Sequence, residues 1–214
     1  MGTLILVRHG QSEWNVANRF TGWTDVDLTD QGKKDAVLCG ASLKEFTFDC
    51  AFASRLKRSQ LTLAGVLKGH GQKKVPTELD SALNERHYGD LQGLDKAETI
   101  KKYGEDKVKQ WRRSYAVRPP NGESIDDCVR RTLPFFKQYI MPSVAAGKTV
   151  IVAAHGNSLR PILMFLDHLN EDQTASLEIP FCTPYVYSFD GERMIGKAIR
   201  SVPGMESKGT AVIK

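Results

Sequence analysis

Two histidines stand out by what flanks them. His9 follows the run Thr3-Leu4-Ile5-Leu6-Val7-Arg8 and precedes Gly10; His155 follows Thr149-Val150-Ile151-Val152-Ala153-Ala154 and precedes Gly156. A neutral imidazole is a good nucleophile near neutral pH, and a phosphoryl group is an electrophile it can attack. Arg8 and Arg58 carry forked donors that match the oxygens of such a group, and His155 adds a donor for its transition state. A lone His after a strand is more often structural. Two strand-end His-Gly pairs, one with an Arg beside it, point instead to a shared anion site.

Further candidates lie far along the chain. Glu85, in Asn84-Glu85-Arg86-His87-Tyr88-Gly89, would serve as general acid and base if a dehydrated site raised its pKa. Its local sequence favours a surface salt bridge to Arg86. Arg112-Arg113 with Lys96 would clamp a carboxylate or a second phosphate, although an isolated Arg pair is more often a solvated helix face. Trp14, Trp23 and Trp111 read as packing residues, and His70, His87 and His168 as structural. The chain has no HExxH, no HxH and no Cys/His spacing suited to zinc, so no metal is expected. It also lacks a GxxxxGK[ST] loop, a strand-borne GxGxxG and a GxSxG elbow, which argues against nucleotide cradling and a serine nucleophile.

Both histidine runs are short, apolar and β-branched, the pattern of buried strands. In an open α/β sheet, ligands sit outside the carboxyl ends of the strands, where both imidazoles would be delivered. Thr29 or Asp30 can cap a helix with Ala36, Val37, Gly40 and Leu43 on its apolar face. A second strand at 49–53, a helix ending near 67 and a short strand within 73–78 follow. Residues 83–120 are Gly- and charge-rich, with one helix at 105–113, and read as an insertion over one end of the sheet. Ile125, Cys128, Val129, Leu133, Phe136 and Ile140 form one helical stripe that Pro134 should kink or split. A helix at 159–166 and a hairpin of 184–189 with 194–199 around Asp190-Gly191 complete the pattern.

With 214 residues, 41% hydrophobic and 26% charged, the chain suits one globular domain over 1–214, with an inserted lobe at about 83–120 and a loose tail at 203–214. The net charge of +5 is mixed with acids along the chain and forms no basic stripe with interleaved aromatics, so no nucleic-acid partner is expected. Cys39, Cys50, Cys128 and Cys182 are scattered, as in a reducing compartment. The N-terminus does not read as a signal peptide, position 6 is Leu6 where a myristoylation motif needs Ser or Thr, and no apolar run spans a bilayer. The expectation is a cytoplasmic protein with no membrane partner.

Longer blocks carry a family resemblance. Leu6-Val7-Arg8-His9-Gly10 resembles the motif of the histidine phosphatase superfamily. Arg8-His9-Gly10-Gln11-Ser12-Glu13-Trp14-Asn15, Phe20-Thr21-Gly22-Trp23 and Asn84-Glu85-Arg86-His87-Tyr88-Gly89-Asp90-Leu91-Gln92-Gly93-Leu94 resemble its cofactor-dependent phosphoglycerate mutases. Gln110-Trp111-Arg112-Arg113-Ser114-Tyr115 and Ala153-Ala154-His155-Gly156-Asn157-Ser158-Leu159-Arg160 do so too, and the blocks span residues 4 to about 190. The resemblance implies an α/β fold: a three-layer α/β/α sandwich around a mostly parallel sheet, with a helical insertion capping the active site. It implies interconversion of 2- and 3-phosphoglycerate, with His9 phosphorylated by 2,3-bisphosphoglycerate as priming cofactor and no metal. Arg8, Asn15, Arg58, His155, Gly156 and Asn157 would hold the transferring phosphoryl group, Glu85 would shuttle the substrate proton, and Ser12 would donate to a ligand oxygen. Thr21, Gly22, Tyr88, Lys96, Arg112 and Arg113 would bind the carboxylate and the other phosphate. The resemblance leaves room for side activity as a bisphosphoglycerate mutase or phosphatase, and a broad-specificity histidine phosphatase is the alternative.

The chain also departs from the pattern. Pro119-Pro120 meets Asn121-Gly122-Glu123-Ser124 directly, as in short-form members, which leaves monomer and homodimer both open. Pro180-Phe181-Cys182-Thr183-Pro184 stands where the family usually shows Pro-Thr-Gly, so Cys182 brings a side chain to a usual Gly position.

Overall fold

Alternation along the apolar strands sorts their side chains onto two faces. The computed structural model describes residues 1–205. In chain order its elements are β1 (Gly2–Arg8), α1 (Glu13–Val16), α2 (Asp30–Ala41), β2 (Cys50–Ala53), α3 (Lys57–His70) and β3 (Thr77–Leu79). There follow α4 (Lys96–Tyr103), α5 (Glu105–Arg113), α6 (Ile125–Phe135), α7 (Met141–Ala145), β4 (Thr149–Ala154), α8 (Gly156–Leu166), α9 (Glu171–Ser176), β5 (Pro184–Asp190) and β6 (Arg193–Ile199). The strands form one six-stranded sheet in the order β3-β2-β4-β1-β5-β6. β3, β2, β4 and β1 pair in parallel, and β5 pairs antiparallel with both β1 and β6.

Each face of the sheet buries its own core. Leu4, Leu6, Phe52, Val150 and Val152 pack with Phe136, Ile140, Val144, Ile162 and Leu163 on one side. Ile5, Val7, Ala51, Ala53 and Ile151 pack with Ala36, Cys39, Leu63 and Val66 on the other. Full burial of a Leu or Ile is worth about 1.5–3 kcal/mol, so two such faces fix the register: a one-residue slip would exchange them. The helices therefore lie in two layers around a mostly parallel sheet.

The expected elements form, α7 and α9 are added to them, and further differences lie at residues 83–120 and at Pro134. Residues 83–120 contain α4 as well as α5. α4 shows no apolar period, with Thr99 as its buried residue, and is set instead by Asp95, whose carboxylate accepts from the Ala97 and Glu98 amides. Pro134 does not split its helix. α6 runs on through Phe135, and a π-helical turn over Phe136–Ile140 follows, keeping Phe136 and Ile140 in the core. Of the tail expected to be loose, residues 206–214 lie outside the described residues, while Val202 and Met205 pack against the α2/α3 layer.

α2 and α3 meet across a seam of small residues. A Cβ on Gly40 would overlap the Val66 carbonyl, and one on Gly69 would overlap that of Val37. Ala gains up to about 1 kcal/mol over Gly inside a helix, but overpacking against main chain costs about 1–3 kcal/mol. Gly40→Ala should therefore lower stability by about 1–2 kcal/mol in urea denaturation; an unchanged or raised midpoint would mean that the seam opens freely.

Candidate active site

β1 and β4 are neighbours in the sheet, paired in register so that Arg8 lies opposite Ala154. One residue further along each strand, His9 and His155 come together with ring centroids 4.9 Å apart. The His9 amide donates to the Ala154 carbonyl (2.9 Å), so the link between the strands continues past their ends. Both imidazoles are buried, as are Arg8 and Arg58. His9 Nδ1 lies 2.7 Å from the Gly10 carbonyl, an acceptor, so the ring proton sits on Nδ1 and the lone pair on Nε2. Burial pushes the pKa of His9 well below its usual value, and the Arg58 and Arg8 charges push it further. Burial, Arg58 and the facing His9 lower His155 in the same direction. His155 Nε2 pairs with Ser54 Oγ at 2.7 Å, while its Nδ1 is buried without a protein partner.

The arginines are held by main-chain carbonyls. Arg8 Nη1 donates to Ile179 O (2.7 Å), with its guanidinium carbon 4.1 Å from the centre of the Phe181 ring. Arg58 donates to Gly22 O (2.7 Å) and Thr24 O (3.1 Å), and burial pulls its pKa down to about 10. Arg8 Nε and Arg58 Nε, like His155 Nδ1, are buried with no partner. Leaving such donors unpaired costs about 1–3 kcal/mol or more each, a debt that an anion's oxygens would cancel. Cys182 takes a left-handed backbone (φ 46°) and donates its amide to the Arg8 carbonyl at 3.0 Å. The site thus keeps the turn of a Gly position with a side chain present.

Glu85 is buried and not a surface group paired with Arg86. Its Oε1 accepts from the Arg86 amide (2.8 Å) and from the Asn157 amide (3.0 Å) in the first turn of α8. The helix end favours negative charge at this point. Burial alone would raise the Glu85 pKa, but Arg58, the Arg86 amide, Arg8 and Asn157 outweigh it and hold it below the usual carboxylate range. This corrects the raised value expected for a dehydrated Glu: dehydration comes here with two guanidiniums.

Thirteen residues singled out in the sequence line one cavity: Arg8, His9, Asn15, Thr21, Gly22, Arg58, Glu85, Tyr88, Lys96, Arg112, Arg113, Gly156 and Asn157. His155 lies beside His9, buried completely. Ser12 does not line the cavity. It is fully buried, and its hydroxyl and amide both donate to Asn15 Oδ1, so it orients Asn15. Trp23 is more than packing: its indole N–H donates to the Glu85 carbonyl at 2.5 Å. Arg112-Arg113 are half-buried beside the cavity rather than on a solvated face.

Arg19, Phe20, Arg160, Glu178 and Ile179 line the same cavity and were not singled out. Arg160 stands three residues after Asn157, on the same face of α8, a spacing that could have revealed it. Glu178 carried no signal. One ligand atom each from His9, Glu85 and His155 falls within 4.8 Å of the others, a grouping able to take a cation. The Arg58 and Arg8 charges that depress both imidazoles oppose one there, and the local field suits an anion.

A cavity of this charge, at the carboxyl ends of β1 and β4 and with a neutral His at its floor, defines a class. The profile of the histidine phosphatase superfamily (branch 1) matches residues 4–200, and the chain belongs to that family. It is 52% identical over 192 residues to 2,3-bisphosphoglycerate-dependent phosphoglycerate mutase 2 of Gloeobacter violaceus, covering 90% of this chain and 88% of that one. It is 50% identical over 198 residues to the 2,3-bisphosphoglycerate-dependent phosphoglycerate mutase of Nitrobacter hamburgensis, covering 92% and 96%. Among solved structures, Bacillus stearothermophilus YhfR superposes with a TM-score of 0.79 at 26% identity, over 96% of this chain and 98% of that one. A mycobacterial glucosyl-3-phosphoglycerate phosphatase superposes with a TM-score of 0.77 at 24% identity, over 92% and 96%, and shares the fold.

The lowered histidine pKa values link stability to pH. Below pH 6.5 the unfolded chain binds protons at His9 and His155 that the native state refuses, so acidification favours unfolding. Each histidine adds a slope of up to about 1.4 kcal/mol per pH unit. Stability should fall as pH drops from 7 towards 5.5, read from denaturation midpoints, and His155→Asn should flatten the slope. Equal slopes in the variant and the parent would refute the assignment.

Proposed function

We propose that this chain is a phosphoglycerate mutase, interconverting 3-phosphoglycerate and 2-phosphoglycerate in glycolysis and gluconeogenesis through a phosphohistidine primed by 2,3-bisphosphoglycerate. The observation that carries the reading is the charge of one cavity, which joins Arg8 and Arg58 at His9 to Lys96, Arg112 and Arg113. A plain phosphatase needs cations mainly around the reacting phosphoryl group. A mutase must grip both anionic ends of its ligand and exclude water while the phosphoryl group is on the enzyme.

The residues suit that chemistry. The cofactor supplies the first phosphoryl group. His9 Nε2, with its lone pair free, attacks phosphorus; the N–P bond forms as the P–O bond breaks, and Glu85 passes to the departing oxygen a proton that it took up when the anion bound. In the return step Glu85 takes the proton of the other hydroxyl, whose oxygen attacks the phosphorus on His9. Arg8, Arg58, His155 and the first amides of α8 stabilise the equatorial oxygens in both directions. Arg58 and Arg8 also hold the Glu85 pKa down. A bound phosphoryl group neutralises them, so its arrival lifts Glu85 towards the range where it can carry a proton. This route uses no metal.

Residues 83–120 serve as the cap in this reading, since they bring Glu85, Tyr88, Lys96, Arg112 and Arg113 to the cavity. No helix of the described residues is long and apolar enough to cross a membrane. The four cysteines are free thiols, which fits a cytoplasmic enzyme, monomer or homodimer.

Incubation with 3-phosphoglycerate, with and without 2,3-bisphosphoglycerate, should give 2-phosphoglycerate as the main product and depend on the cofactor. Free phosphate as the main product would establish a phosphatase instead. His9→Ala should abolish the acid-labile phosphoenzyme, and its persistence would remove His9 from this role. Glu85→Gln should slow turnover about 10²-fold or more, measured by steady-state kinetics; near-normal turnover would assign the proton to another group.

A further inference from the structure

Seven cationic side chains and two carboxylates, Glu85 and Glu178, line the cavity among the described residues. Glu85 has a part in the proposed chemistry; Glu178 has none. Glu178 lies in the loop between α9 and β5, and its Oε1 is 2.5 Å from Arg113 Nη2. Its position is fixed from both sides. The Leu177 carbonyl accepts from Arg160 Nε (3.1 Å) and Nη2 (2.7 Å), and the Ile179 carbonyl accepts from Arg8 Nη1 (2.7 Å). Two cavity arginines therefore hold the main chain that presents this carboxylate. Its negative charge also reaches Arg8 and Arg112, favouring their protonated forms.

The Glu178 side chain stays 54% exposed and that of Arg113 35%. An ion pair this wet is worth at most about 1 kcal/mol, so an incoming anion can displace it. A tethered carboxylate nevertheless presents itself to Arg113 at an effective concentration of about millimolar or above. A ligand whose second anionic group needs Arg113 has to displace a carboxylate already bound there.

We propose that Glu178 is a built-in competitor for the Arg113 anion subsite, opposing ligands that carry a second anionic group and thereby setting the affinity for phosphoglycerate. The proposal rests on the mutase reading in taking a phosphoglycerate as the ligand that reaches Arg113. Glu178 is a specificity determinant here and takes no part in phosphoryl transfer.

Calorimetric titration of the parent enzyme, Glu178→Gln, Arg113→Gln and the double variant tests it, with 3-phosphoglycerate and glycerol 3-phosphate as probes. The second probe keeps the phosphate and lacks the carboxylate. Glu178→Gln should tighten 3-phosphoglycerate about 3- to 5-fold, the range that an exposed ion pair can supply. Glycerol 3-phosphate should change less than about 2-fold, and the gain for 3-phosphoglycerate should vanish in the Arg113→Gln background. Weaker binding of 3-phosphoglycerate to Glu178→Gln would overturn the proposal, because Glu178 would then be holding Arg113 in place for the ligand. Equal gains for both probes would overturn it as well, because the carboxylate would be acting only through its general field. The product assay is independent: free phosphate there, with the expected titrations here, would sink the mutase reading and leave the competitor standing.

Discussion

Burying guanidiniums without carboxylates is costly, and much of the site follows from how that cost is met. Arg8, Arg58, Arg86 and Arg160 are all buried. Each donates to a main-chain carbonyl: Ile179 for Arg8, Gly22 and Thr24 for Arg58, Arg112 for Arg86, Leu177 for Arg160; Arg86 and Arg160 also donate to Tyr88 and Asn157 side chains. A carbonyl satisfies a donor without cancelling its charge. Each bond, worth about 1.5–3 kcal/mol for a charged partner, ties a distant segment to the site and leaves the positive field intact. Carboxylate partners would have given stronger pairs and a neutral cavity.

One field then adds to burial at the two histidines and works against it at Glu85. A positive potential disfavours a protonated imidazole and favours an ionised carboxylate, so His9, His155 and Glu85 all move down together. Burial first, and the two arginines with it, keep His9 unprotonated, and the same two arginines help to keep Glu85 ionised. The three groups are coupled through the charge between them, and any anion that enters acts on all of them at once.

What could be read from the sequence was what repeats or travels in blocks. The apolar runs before His9 and His155 announce strand ends because β-branched residues and period two leave few alternatives, and parallel pairing made those ends adjacent. α4 went unseen because it is held by the Asp95 cap rather than by an apolar stripe. The burial of Glu85 was also unreadable: Asn84-Glu85-Arg86 looks like a surface ion pair, and only the arrival of the α8 N-terminus and Arg58 from elsewhere in the chain makes it otherwise. The contacts of Ser12 were unreadable for a related reason. A hydroxyl beside a catalytic motif can face the ligand or its neighbour, and here Asn15, three residues on, takes it. Glu178 shows the limit most clearly, since it pairs with Arg113, sixty-five residues earlier in the chain.

The strand order has a cost during synthesis. β1, made before the other five strands of the sheet, lies between β4 and β5. Leu4, Ile5, Leu6 and Val7 therefore have no native strand partner until residues near 150, and then 184–190, have been made. At about 5–20 residues per second that wait lasts about ten seconds or more, with a β-prone apolar segment lacking its neighbours throughout. Centring the sheet on the strand made before its neighbours thus leaves its most apolar segment open to mispairing until the strands on either side have been made.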